Sequence, residues 1–488
     1  MLTCLNESRQ TRRKKERSKA KFEAAQQVAE KETFKEINFM LRKVYSEDEL
    51  KKLAKKMNVI QRNRKLTPYP FVSIIMIGCV CDTDDAGMRS LRRMCLLLRK
   101  YYGEGINITP QALQQKINRK EVSILIKEIM SKILGYKIDK SLKKFRNRKS
   151  KIIDFYRILL QDSTVISLPP SLKRIFRGCG GAASEAAVKC DFIIDQSNNL
   201  VIRVKFVAGR VPDSTMSSDI VGYLEKNDLV IRDLGYFNLS QLSKITNKKA
   251  YFISRLSKTT NIYLNQNDKE PLDLIAHLKK LEIEKNNVDI DVYIGRTERL
   301  QVRLIGIKVP QEVVEARRQK YKENHKKKEP TEELQEWNGY TLMISNISKK
   351  TMSIKMILKI YKIRWQIELF FKNMKSNLGV DNITGENKYR ILCIVYIKIT
   401  FTWIIANLYA YAQGLVAPEE EVSLDQFTKW LKEENRLKYA FITGDLTNLL
   451  DELKRDVDLL CKQKRKRKTT WRDIEDTYVE ENGNMNAA

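Results

Sequence analysis

Tyr361, Arg364, Glu368 and Lys375 follow one another at intervals of 3, 4 and 7 residues. At about 100° per residue these positions fall within a sector of roughly 60° on a helix. One carboxylate flanked by two cations and a phenol suits a metal-bound acid beside groups that grip phosphate. The same spacing also serves an ordinary amphipathic helix with i,i+4 ion pairs. The segment 351–379 carries helix signals at both ends, with Thr351 or Ser353 at its start and Gly379 at its stop. Ile363, Ile367, Phe370, Phe371 and Met374 lie largely on the opposite side, ready to face a core.

Two further acids stand where a buried charge is costly without a task. Asp162 sits inside the strand-like stretch ILLQDSTVI (158–166), and Asp233 ends the apolar run that starts at Leu229. With Glu368 reaching over from a neighbouring helix, these acids can hold two hard cations about 4 Å apart and clamp a phosphodiester. Rival acids are Asp154 in a basic linker, Asp191 in the middle of a strand, and Asp195 in a hairpin turn where Asp is expected for backbone reasons.

Composition narrows the partners. The 488 residues contain 91 Lys and Arg against 60 Asp and Glu, a net charge of +31, which favours nucleic acid over membrane. Eight cysteines form no CxxC pair, and only His277 and His325 provide imidazoles, which argues against zinc. A metal held by carboxylates points to Mg²⁺ or Mn²⁺. The N-terminus is charged from Arg9 onward with no apolar signal core, and the apolar stretch 391–413 is interrupted by Lys398, Thr400, Thr402 and Asn407. The expectation is a buried helix in a cytoplasmic, nucleoid-associated protein.

The elements that must position the acids read in order. A basic arm at 9–33 leads into helical texture up to residue 135, including ITPQALQQKIN (108–118), which resembles the start of a helix-turn-helix. A basic linker follows, then strands at 158–166, 186–194 and 200–208, with a Gly-rich loop at 177–181 between the first two. A short helix near 217–226, a strand at 229–232, a helix at 238–247 and a strand at 250–256 complete an α/β unit with a mixed sheet. Strands at 288–294 and 299–309 and a charged helix from Gln311 lie in a stretch, 257–339, that interrupts this unit before strand 340–346 returns to it. The chain ends with a mostly helical region and the basic run KQKRKRK at 462–468.

The Tyr361–Arg364–Glu368–Lys375 spacing resembles the Y-R-E-K signature of DDE transposases of the insertion-sequence-four group. Asp162-Ser163-Thr164 is similar to that group's first-aspartate motif and LVIRDLGYF (229–237) to its second, with an interval of 135 residues from Asp233 to Glu368. The resemblance covers roughly 155–415. It implies a ribonuclease-H-like mixed-sheet core interrupted by a strand-rich insertion, flanked by a helical N-terminal DNA-binding region and a helical C-terminal region. The domains would be 1–135, a linker at 136–152, core at 153–256 and 340–415, insertion at 257–339, and a C-terminal region at 416–488.

The implied activity is cut-and-paste transposition: metal-dependent cleavage at transposon ends, hairpin formation and strand transfer into target double-stranded DNA by a homodimer. Asp162, Asp233 and Glu368 would be the catalytic metal ligands, and Tyr361, Arg364 and Lys375 would hold phosphates. Trp337 and Trp365 match positions that stack on a flipped base. Alternatives are a catalytically inactive, domesticated DNA-binding protein and a structure-specific nuclease on the same fold.

Overall fold

In the computed structural model the described residues run from 38 to 461, apart from 40–41, 60–65, 82–87, 104, 136–154, 181–183, 198–199, 283–286, 326–327, 382, 417–419 and 434–435. The basic arm at 9–33, the linker 136–152, Asp154 and the run at 462–468 lie outside them.

The first named elements are the helices α1 (Glu47–Lys56), α2 (Pro68–Cys81), α3 (Met88–Tyr102), α4 (Pro110–Ile117) and α5 (Lys120–Gly135). Thr109 caps α4, its Oγ1 accepting from the Ala112 N–H at 3.2 Å, so the expected start of that helix is where the cap chemistry puts it.

Among the described residues nine strands then build one sheet: β1 (Ile158–Leu168), β2 (Ala186–Asp195), β3 (Leu200–Ala208), β4 (Leu229–Arg232), β5 (Tyr251–Arg255), β6 (Ile262–Tyr263), β7 (Asn287–Ile294), β8 (Leu300–Lys308) and β9 (Tyr340–Ser345). Their order is β3-β2-β1-β4-β5-β9-β8-β7-β6. β4 runs parallel to both β1 and β5, and the remaining neighbours are antiparallel, so the sheet is mixed. The stretch 257–339 interrupts the chain but not the sheet, because β9 pairs with β5 on one side and β8 on the other.

Between the strands lie α6 (Leu239–Asn247), α7 (Leu274–Glu282), α8 (Gln311–Asn324) and α9 (Glu332–Asn338). Where the sequence suggested a short helix at 217–226, the backbone makes two 3₁₀ turns, Asp213–Met216 and Asp219–Tyr223. After β9 come α10 (Ile354–Lys362), α11 (Trp365–Leu378) and α12 (Lys388–Leu415), followed by α13 (Leu424–Lys432), α14 (Arg436–Thr443) and α15 (Thr447–Asp456).

The segment read as one helix is thus two. Ile363, Arg364, Gln366 and Ile367 bond back to the carbonyls three residues earlier, a 3₁₀ tightening that separates α10 from α11. It keeps Ile360, Ile363 and Ile367 all buried.

α12 is long and apolar enough to cross a membrane, yet its most apolar window is wholly buried inside the fold. Its polar groups are satisfied within: Thr400, Thr402 and Asn407 each donate to a carbonyl four residues back, and Lys398 Nζ donates to Gly379 O at 2.6 Å. One apolar cluster joins the N-terminal helices, α12, the C-terminal helices and one face of β1 and β2, while a second fills the other face under β6–β9.

Candidate active site

Register brings the two aspartates together. β1 and β4 pair in parallel with Gln161 opposite Arg232, so Asp162 and Asp233 are the next residues on adjacent strands, about 4.8 Å apart in the pairing direction. Strand alternation puts Asp162 on the same face as Leu160 and Ile158, the face that α11 covers. Phe192, directly across from Asp162 on β2, packs its ring 5.5 Å from Phe370 and 5.4 Å from Phe371. That aromatic clamp seats α11 on the sheet and delivers Glu368, one turn earlier, to the aspartates.

The three acids converge on one cation. Arg364 reaches Glu368 Oε1 at 2.6 Å, Asp162 Oδ2 at 3.3 Å and Asp233 Oδ1 at 4.0 Å. Burial pushes the Asp162 carboxyl up to about 6; the Ser163 N–H and Arg364 oppose that rise, and the Asp233 and Glu368 charges reinforce it. Burial works against the charge of Arg364, but Asp233, Tyr361 and Glu368 hold its pKa above the ordinary value. Among the described residues no three acids or other ligands stand together as a formed metal site. The donor set is nevertheless the right one for a hard divalent cation, three carboxylates around a single positive group, with the guanidinium as the cation they now share.

The other named side chains are placed as follows. Lys375 Nζ donates to Val165 O at 3.1 Å and lies 3.9 Å from Asp381, beside β1 but beyond the acids. Tyr361 is half-buried, and burial raises its pKa while the neighbouring Arg364 opposes that rise. Trp365 is exposed beside Arg364, whereas Trp337 is half-buried against the apolar cluster under β6–β9.

Of the rival acids, Asp191 faces away from this group. It is fully buried, accepting from Tyr236 Oη at 2.6 Å, Gln161 Nε2 at 3.2 Å and Arg203 at 3.2 Å. Asp195 accepts from the Ser197 N–H in the hairpin turn, as backbone chemistry predicts.

Sequence reasoning passed over a second polar cluster beside the acids, in which Asp213 accepts from Ser163 Oγ and Lys189 Nζ, both at 2.8 Å. A signal was present, since Lys189 is a cation inside a buried strand that also carries Asp191. Arg232, buried just before Asp233, was likewise legible as a charge in an apolar run.

Residues 153–403 match the model of the transposase DDE domain. The chain is 27% identical over 460 residues to the transposase for insertion sequence element IS231B of Bacillus thuringiensis subsp. berliner, covering 89% of this chain and 93% of that one. It is 23% identical over 418 residues to the transposase for IS1151 of Clostridium perfringens, covering 82% and 86%. Among solved structures it is similar to the piggyBac transposase in a synaptic complex with hairpin DNA, at 12% identity and a TM-score of 0.43 over 91% of this chain and 87% of that one. With the matched domain spanning half of its length and containing the three converging acids, the chain belongs to the transposases that carry a DDE domain.

Proposed function

We propose that this transposase cuts and rejoins DNA by the cut-and-paste route, with Asp162, Asp233 and Glu368 as the ligands of Mg²⁺ or Mn²⁺ in a ribonuclease-H-like core. The observation that supports it is the convergence of these acids, from β1, the end of β4 and α11, on a single cationic group. Divalent cations held there would supply Lewis-acid activation of water or a 3′-OH and neutralise charge on the phosphate. The chain's own part is to place the three carboxylates and to position the strand. Arg364 and Lys375 grip phosphate oxygens, Tyr361 offers a hydroxyl beside Arg364, and the exposed ring of Trp365 receives an unstacked base. Trp337, half-buried in the insertion, takes the second stacking role only if DNA draws it from its cluster.

Water would cut one strand at each end. The freed 3′-OH would close a hairpin on the opposite strand, and the reopened end would join target DNA, in a homodimer that holds both ends. Residues 1–135 select the end sequence, and the protein works in the cytoplasm on the nucleoid.

The test is a cleavage assay on duplexes carrying the terminal sequences that flank the gene, read on denaturing gels. Nicked, hairpin and joined products should each require divalent metal and vanish in Asp162→Asn, Asp233→Asn and Glu368→Gln. Nicks without hairpins would leave a nuclease. End binding with no cleavage at all would leave a DNA-binding protein only.

A further inference from the structure

Arg177, which opens the Gly-rich stretch of the sequence, has no part in the acid site. It lines a cleft of ≈ 520 Å³ together with Lys173, Arg174, Ile175, Ala208 and Arg210. All four cations are exposed. Lys173 pairs with Glu185 at 2.9 Å, whereas Arg174, Arg177 and Arg210 form no ion pair among the described residues.

The frame under them is tight. The Arg210 N–H donates to Arg177 O at 3.2 Å, and Arg177 bridges to Ala186 at the start of β2. Gly178 lies close against the Ser184 backbone, where a Cβ would stand 2.0 Å from Ser184 O. Unpaired like charges on so stiff a support repel one another, and a polyanion relieves that repulsion.

Position gives the cleft its meaning. β4 pairs only with the first part of β1, so β1, β2 and β3 run on past Asp162 as a three-stranded ribbon with the cleft at its far end. From Asp162 to Leu168 the strand covers about 20 Å, and a duplex covers that distance in about six base pairs.

We infer that this cleft is a second phosphate-binding site, which grips the backbone of a DNA duplex about six base pairs from the scissile phosphate. The inference rests on the reading of the acid site as the place where DNA is cut, and it adds a holding point that the Y-R-E-K residues do not provide. Arginine forks suit this role because they bind phosphate oxygens bidentately and carry no base preference.

The experiment compares the full chain with an Arg174→Ala/Arg177→Ala/Arg210→Ala variant. The comparison protein, Lys269→Ala/Lys280→Ala/Lys320→Ala, loses the same charge from exposed positions in 257–339. Affinity for a mixed-sequence duplex is measured against salt concentration. Losing three phosphate contacts should lower the slope of log affinity on log salt by about 2–3, and the comparison protein should change it little.

Arginine modification followed by peptide mapping gives an independent readout: duplex should protect Arg177 and Arg210 in the wild type and equally in Asp162→Asn. Equal slopes in the two triple variants, or arginines that stay reactive under saturating duplex, would overturn the inference. Its failure is separable from that of the acid-site reading, because protection in a cleavage-dead Asp162→Asn protein does not depend on catalysis.

Discussion

Arg364 stands among three carboxylates that would otherwise repel one another, and in the proposed metal site a divalent cation would compete with this guanidinium for the same acids. Arg364→Ala should therefore melt at a lower temperature than wild type without metal and be stabilised more by Mn²⁺. Each tenfold gain in metal affinity adds about 1.4 kcal/mol at saturation. A thermal-shift titration reads this directly, and an unchanged response would show that Arg364 does not occupy the metal's place. Asp191 makes the contrast. Asp191→Asn weakens a buried network with Arg203, Gln161 and Tyr236 and should cost about 1–3 kcal/mol by denaturant unfolding, while the folded fraction keeps its activity. Sequence alone ranks Asp191 below Asp162 as the first acid, although both sit inside strands rich in apolar residues. The parallel register of β1 with β4 separates them, and strand pairing of that range leaves no local signature.

At the scale of elements, the sequence reads well wherever side-chain chemistry acts within a few residues. Ser353 caps α10 and Thr109 caps α4, and α11 ends at Gly379 in the left-handed conformation at φ 56°. Gly379→Ala should cost about 1–2 kcal/mol through that backbone strain. A melting temperature unchanged from wild type would mean that the turn relaxes without loss. The break between α10 and α11 was not legible, because the apolar period continues across it. The tighter turn follows from seating Ile360, Ile363 and Ile367 in one core, a demand of packing and not of propensity.

At the scale of the whole molecule, the stretch 257–339 reads in sequence as an interruption, and in space its strands extend the sheet through β9. Deleting it would strip β8 from β9 and bare a buried, apolar edge. The deletion variant should aggregate or lose its cooperative transition. A soluble protein melting at the wild-type temperature would show the insertion to be separable. Charge was legible from composition, but where it gathers was not, because the cleft at the end of the ribbon unites residues from two separate loops. Whether Asp162, Asp233 and Glu368 form one metal site is tested most directly by Mn²⁺ binding followed by electron paramagnetic resonance, with no need for DNA or turnover. Wild type should bind Mn²⁺, and Asp162→Asn, Asp233→Asn and Glu368→Gln should each lose that binding while Asp191→Asn keeps it. Mn²⁺ bound equally by the wild type and all three of these amide variants would contradict a single shared site.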